Sequence, residues 1–353
     1  MYIYIGIFTL LSVLCLCEYF TKKKIFFGIG IITLFLVSGF RYKTGYDFSS
    51  YSDFFNRINS FQDVFNGTID AEPGYLLINY IVKQLGMNFS VVVLVISLLS
   101  MIILGYCLNQ YFPYPSFVLL YYYSRFFLVR DMGQIRSSIV SILFLYSLTA
   151  FKEKNFKKVL LISLIGSLFH MVSLFIIPAY LFVILFKKMT ISKALVLIGI
   201  SILVGVVFYF PDLYLFLIPE RYQGYLSGYY AQGKWLLNPV FIMQMGILVA
   251  SLLFVNSRNV RFEKSFNILL SLYCLSTICL VVFGPLATIG GRISTIFSTV
   301  EIFIVPIMLN SLLKNKFLYL LSFVGFSFVV FILIFIISGA YHSYIPYTSV
   351  FNL

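Results

Sequence analysis

Charge is what this chain has least of. Only 10% of its 353 residues are Asp, Glu, Lys or Arg, against about 25% in an ordinary soluble domain, which excludes a soluble globule. Acid is scarcer still: 12 Asp and Glu stand against 25 Lys and Arg, for a formal net charge of +13. The basic side chains are dispersed between apolar runs, so the excess reads as membrane topology and not as nucleic-acid binding. Cysteine is limited to Cys15, Cys17, Cys107, Cys274 and Cys279, all within apolar runs and none in a Cys-x-x-Cys spacing. That excludes a disulfide framework and a thiolate metal site. Histidine occurs twice, at His170 and His342. With no His-Glu-x-x-His, no phosphate-binding Gly-x-x-x-x-Gly-Lys-Ser/Thr loop and no Gly-x-Ser-x-Gly elbow, a metalloprotease, an ATP-driven pump and a serine hydrolase all lack their parts.

What the chain has in abundance is apolar residues, 61% of the total. At about 20 residues per crossing they could fill on the order of ten transmembrane helices. Runs near 2–19, 25–40, 89–107, 116–129, 138–151, 194–210, 240–255, 266–283, 298–313 and 317–337 read as spans. The first run has no basic segment before it and no small-residue cleavage site, so it is kept as a helix and not a signal peptide. The stretch 159–186 is different: as one helix it would be about 42 Å long, more than the hydrocarbon core needs. Lys152, Lys154, Lys157 and Lys158 precede it and Lys187, Lys188 and Lys193 follow it. Both ends therefore read as cytoplasmic, and the stretch as a helical hairpin turning near His170. The expected fold is an all-α polytopic integral membrane helix bundle, with about ten full spans plus a hairpin, or twelve spans. It forms a single transmembrane domain over residues 1–353, with outer loops near 41–88 and 211–238.

With the N-terminus outside, the lysine clusters fall on the cytoplasmic side, and so do Arg258 and Arg261. The remaining basic residues, placed outside, are of a different type: seven of the nine arginines (Arg41, Arg57, Arg125, Arg130, Arg136, Arg221 and Arg292) but three of the sixteen lysines. The positive-inside rule accounts for the inner lysines and not for the outer arginines. A guanidinium grips phosphate or carboxylate through two parallel hydrogen bonds and stays charged where water is scarce. An anionic ligand at the outer membrane face is the expectation.

Several outer residues could carry chemistry. Phe48, Tyr51, Phe55 and Ile58 recur at spacings of three and four, which predicts a helix lying in the interface with its apolar side toward lipid. Arg41, Lys43, Gly45 and Asp47 emerge from the second span, where Asp47 could cap that helix or serve the site. Glu72 precedes Pro73, the first position of a predicted helix, and is either its cap or a carboxylate at the outer mouth that accepts a proton from a hydroxyl. Asp70 and Glu72 form an acid-x-acid pair, a weak cation signal. Arg136 follows Asp131-Met132-Gly133-Gln134 at the start of a helix, where free backbone N–H groups favour an anion, and it is the first candidate for a phosphate ligand. Arg130 and Arg136 could instead pair with Asp131 or with first-loop carboxylates. His170, at the hairpin apex, is either an interhelical hydrogen-bonder or an acid, base or ligand. Arg292 follows Gly290-Gly291 at what reads as an outer turn. The aromatic second loop, with Tyr214, Phe216, Tyr222, Tyr225, Tyr229, Tyr230 and Trp235, is either an interfacial belt or a set of stacking platforms for sugar rings.

In order and spacing, Gly39-Phe40-Arg41, Gly45-x-Asp47 with Tyr51, Glu72-Pro73-Gly74-Tyr75, Gly133-Gln134-Ile135-Arg136-Ser137-Ser138 and the His170 segment resemble the EpsG-like branch of the Wzy-type O-antigen and exopolysaccharide polymerases. The chain departs from that pattern at Ser137-Ser138, where Gln and Ala would follow the arginine, and in a later arginine motif reduced to Arg292. The resemblance implies a GT-C-like, inverting glycosyltransferase of the bacterial cytoplasmic (inner) membrane, working on the periplasmic or cell-exterior side without a cofactor or metal. Its substrates would be oligosaccharides linked to undecaprenyl pyrophosphate, with the lipid bilayer and a chain-length regulator as partners. Carried onto this chain, Glu72, Asp47 and His170 are the catalytic candidates, and Arg41, Arg130, Arg136, Arg292, Tyr51 and Tyr75 the substrate-binding ones. A lipid-linked oligosaccharide flippase and a membrane acyltransferase are the alternatives. The first needs a charged path reaching both faces, and the second a histidine and arginine pair near the start of the chain.

Overall fold

The structure is a computed structural model that describes residues 1–210, 213, 214, 216, 223, 235–255 and 263–352. Most of the second expected outer loop, with Arg221, Tyr222, Tyr225, Tyr229 and Tyr230, lies outside these residues, as do Arg258 and Arg261.

The described chain is an all-α membrane bundle. Its helices are α1 (Tyr2–Thr21), α2 (Ile25–Gly39), α3 (Phe48–Arg57), α4 (Pro73–Gln84), α5 (Phe89–Tyr111), α6 (Pro115–Tyr122), α7 (Ile135–Glu153), α8 (Phe156–Ser167), α9 (Ile176–Leu185), α10 (Ile191–Val207), α11 (Pro239–Phe254), α12 (Glu263–Val282), α13 (Ala287–Ser298), α14 (Glu301–Leu312) and α15 (Lys316–Phe331). Helix α6 runs on through a π-turn, Tyr123–Phe127, and a last turn, Leu128–Arg130. Among the described residues, five helices are long and apolar enough to cross a bilayer, or six if the pair 289–298 and 301–312, bent by 55°, is one broken span.

Local chemistry sets many of the boundaries. Pro115, Pro73 and Pro239 open helices at the first position, where a missing N–H costs nothing. Asn238 and Asn315 cap α11 and α15 through their side-chain oxygens. The chain leaves α1 through Lys22 in the left-handed conformation, φ 62°.

Cα packing divides the chain into two compact units. The first comprises Met1–Ser147, Leu161–Leu174 and Asn315–Leu353, and the second Leu148–Leu160 and Phe175–Lys314. In the first, α1, α2, α5 and α6 pack side by side, and the C-terminal tail folds back onto the start of the chain. The two-residue strands β1 (Arg41–Tyr42) and β2 (Thr348–Ser349) pair antiparallel, Arg41 opposite Ser349. Tyr4 Oη donates to the Tyr344 carbonyl at 2.7 Å, and Gly45 N donates to Ser343 O at 2.9 Å. In the second unit, α12 packs against α10, α11 and α13, and Ser276 Oγ donates to the Ser294 carbonyl at 2.8 Å. Such interhelical hydrogen bonds matter in a bilayer, where lipid is as apolar as the helix faces.

The segment around His170 reverses direction. Ser163 Oγ donates to Ser173 O at 2.8 Å, ten residues on, which a continuous helix would hold about 15 Å away.

Two expectations are corrected. The apolar face of α3 does not meet lipid: Phe48, Tyr51, Phe55 and Ile58 are all buried in one cluster with Tyr75 of α4 and Phe89 and Val92 of α5. Helical spacing marks an apolar face without saying what covers it, and here α4 and α5 lie against it. Gly290-Gly291 is not an outer turn, since both lie inside α13. A Cβ at Gly290 would sit 2.5 Å from the Phe283 carbonyl, so the glycine serves close backbone approach.

Gly45 is the tightest junction in the first unit. It holds φ +107°, and a Cβ there would collide with the carbonyl of Met132. Gly67 also has a positive φ, +72°, but open space around it. Gly67→Ala should cost about 1 kcal/mol from backbone strain alone, and Gly45→Ala roughly 3 kcal/mol or more. Thermal unfolding of the two variants in detergent should place Gly45→Ala well below Gly67→Ala.

Candidate active site

The site grows from an unusual helix start. Glu72 occupies the N-cap position of α4, yet its side chain makes no capping bond. The cap is supplied from the hairpin apex, where the Leu168 carbonyl accepts from Gly74 N at 2.8 Å and Tyr75 N at 3.3 Å. A Cβ at Gly74 would come within 2.8 Å of that carbonyl oxygen, so only glycine admits the approach. Relieved of capping, the Glu72 carboxylate turns toward the apex and toward α7.

There it accepts three donors. His170 Nδ1 lies 2.7 Å from Oε1, Met171 N donates to the same oxygen at 3.2 Å, and Arg136 Nη1 forms a salt bridge to Oε2. An ionised carboxylate can only accept, so His170 Nδ1 donates to it, and in the neutral ring that leaves Nε2 as the acceptor. Burial pushes the Glu72 carboxyl up, but the His170 hydrogen bond and the Arg136 charge outweigh it and hold the group at about 2. All three side chains keep between 13% and 19% of their surface open, so the cluster is sheltered without being sealed.

Aromatic rings fix the guanidinium from the other side. Arg136, in the first turn of α7, lies 5.5 Å over the ring of Tyr51, 5.6 Å over Phe54 and 5.9 Å over Tyr75. Tyr51 and Tyr75 are themselves in contact, with centroids 5.5 Å apart. Helix α3 is held in place by Lys83 of α4, whose Nζ donates to the carbonyls of Asn56 at 2.8 Å and Ile58 at 2.6 Å at its C-terminus.

Two other arginines of this unit, Arg41 and Arg130, are sealed. Arg41 is 1% exposed and donates to Ser38 O at 2.6 Å. Arg130 is 3% exposed and donates to Ser141 Oγ. Beside them the buried Asp131 carboxylate accepts from Tyr122 Oη at 2.6 Å and Ser138 Oγ at 2.5 Å. Arg130 and Arg41 both favour its charge, against burial that raises its pKa. The expected substrate-binding set is therefore split. Arg136, Tyr51 and Tyr75 converge with Glu72 and His170, while Arg41 and Arg130 are built into the wall behind them. Asp47 is half-buried at the N-cap of α3 without capping it, close enough to Tyr51 to raise its pKa. Asp70 is exposed, and Arg292 belongs to the second unit. Among the described residues, no three His, Cys, Asp or Glu side chains form a group that could hold a metal ion.

Sequence reasoning missed the Leu168 carbonyl, the Tyr122–Asp131–Ser138 network and the tail. Ser138 carried a signal, as a hydroxyl where the resemblance puts Ala. The backbone carbonyl carried none.

An all-α membrane protein with a half-open arginine, carboxylate and histidine cluster is the class these features define. The chain belongs to the EpsG family, whose profile matches residues 24–349 of 353. Membership points to a polymerase-like role in exopolysaccharide or O-antigen assembly. No curated protein and no solved structure matches the chain.

A carboxyl whose folded pKa lies below its unfolded value stabilises the fold above that unfolded value and loses the contribution as pH falls toward the folded one. For Glu72 the window runs from about 4.3, the ordinary glutamate value, down to about 2. Wild-type melting temperature should fall across this window, and the Glu72→Gln variant, melting lower at neutral pH, should converge on it. Parallel curves would contradict the assigned contact.

Proposed function

We propose that this chain is a polysaccharide polymerase of the bacterial cytoplasmic membrane. It moves a growing glycan from undecaprenyl pyrophosphate onto the non-reducing end of a lipid-linked repeat unit at the outer face. The observation that carries this reading is the single carboxylate shared by Arg136 and His170 in a sheltered, open cluster. Family membership supports the reaction class, and the gathering of seven arginines outside under the lysine-based topology supports the outer placement.

The reaction has two electrostatic demands, and the cluster offers one group for each. The acceptor hydroxyl must lose a proton as it attacks the anomeric carbon. His170 Nε2 takes it, with Glu72 holding the ring through Nδ1 and stabilising the imidazolium that forms. Glu72, held at about 2, is a poor base itself and a good orienting acceptor, which favours His170 over Glu72 or Asp47 for the proton. As the new glycosidic bond forms, the bond from the anomeric carbon to the pyrophosphate oxygen breaks and its electron pair leaves with the lipid. Arg136 neutralises that oxygen. The displacement occurs in one step, with inversion. Arg41 and Arg130, sealed beside Asp131, set the potential behind the site without touching the substrate. Tyr51 and Tyr75 hold the guanidinium and border the sugar.

Deleting the gene should leave surface glycan as single-repeat caps on a gel; absence of any repeat would point to a flippase. Complementation with Arg136→Ala or His170→Ala should fail to restore the ladder at normal protein levels, a loss of at least about 10²-fold for one transition-state contact. Complementation with Arg57→Ala, an exposed pair partner of Asp53, should restore it fully. A full ladder from well-expressed Arg136→Ala would refute the proposal.

A further inference from the structure

Two surface hollows open side by side on the first unit, away from the Glu72 cluster, and Lys43 lines both. One, about 390 Å³, lies between β1 and the C-terminal tail, with Tyr42, His342 and Thr348 in its wall. The other, about 480 Å³, lies between the Gly45 turn and α3, with Ser52 and Asn56 in its wall. Their walls meet where Gly45 of the second hollow donates its N–H to the Ser343 carbonyl of the first, and Lys43 lines both.

Lys43 is held in an uncommon way. Its φ is +48°, left-handed for a residue with a long side chain. Lys22, also left-handed, ends a helix, where that conformation is ordinary. Lys43 instead follows a strand and precedes a loop, where strain is kept only if its surroundings impose it. Its ammonium lies 5.4 Å from the Tyr42 ring centroid, and no carboxylate among the described residues is within ion-pair distance of it. Asp53, the acid in the second hollow, is engaged by Arg57 at 3.8 Å.

Hydroxyls, an amide and a phenol around one unneutralised cation suit a ligand rich in hydroxyl groups with a negative charge along its length. Resting on the polymerase reading, we propose that the two adjoining hollows around Lys43 are a subsite for the sugar chain of a substrate. Lys43 at their centre holds an acidic substituent such as a uronate carboxylate. The subsite grips chain and not the lipid head, so it bears on which repeat units are accepted.

The test uses the full-length protein in lipid nanodiscs and two soluble probes of one size, tetragalacturonic acid and its methyl ester, with binding read by saturation-transfer NMR. Lys43→Asn is the variant of choice, since asparagine tolerates a left-handed backbone and removes only the cation. The acid should bind the wild type at least about tenfold more tightly than the ester, as expected for a charge-assisted contact. Lys43→Asn should abolish the difference and Lys43→Arg should keep it. Equal binding of acid and ester, an undiminished preference in Lys43→Asn, or no binding of either at millimolar concentration overturns the proposal. None of these readouts needs polymer to form, so a failed subsite and a failed polymerase reading are told apart by whether Arg136→Ala still loses the ladder.

Discussion

Everything at the site depends on one carboxylate having nothing to do at the end of its own helix. An N-cap glutamate ordinarily faces the amides of the next turn, and Glu72 would do so if the Leu168 carbonyl did not already accept from Gly74 and Tyr75. That contact brings the hairpin apex against the start of α4, which places His170 and Met171 on one carboxylate oxygen while Arg136 reaches the other. Three segments distant in sequence are thereby held to one point. Because the charges are sheltered from water, removing any partner leaves the others poorly solvated, at a cost of several kcal/mol for fully buried pairs.

The arginines divide by burial into two roles. Arg41 and Arg130 are sealed beside Asp131, whose carboxylate is further held by Tyr122 and Ser138. The carbonyl of Met132 in the same turn is pressed against Gly45, so the first loop is keyed to this network. Neither of the two hollows that Lys43 lines has an arginine in its wall. Arg136 alone in this set keeps an open face while bound on one side by Glu72 and on the other by aromatic rings.

The fold was largely legible in the sequence because hydropathy is a local property. Helices form in the apolar runs, although among the described residues five, or six with the bent pair, are long and apolar enough to cross a bilayer where the sequence predicts about ten spans. The reversal near His170 falls in the run that is too long for one crossing. Legibility stopped where a local pattern has two causes. The spacing of Phe48, Tyr51 and Phe55 marks an apolar face equally well for lipid and for protein, and the structure chose protein. A glycine pair marks a turn or a close approach, and here both glycines lie inside a helix, with Gly290 alone making the close approach. Of the site, the residue types at 72, 136 and 170 were legible, but not their convergence, since the Leu168 carbonyl that enforces it has no side-chain signature. The tail was illegible for a related reason: a two-residue strand paired across some 300 positions leaves no periodicity to find.

The most direct test is a structure of the full-length protein in lipid nanodiscs with an undecaprenyl pyrophosphate-linked repeat unit bound. The account predicts pyrophosphate oxygens on the Arg136 guanidinium, with a sugar hydroxyl within hydrogen-bond reach of His170 Nε2 and the Nδ1–Glu72 contact retained. A pyrophosphate seated against other residues, with the Arg136–Glu72 salt bridge closed and His170 remote from any sugar, would contradict it.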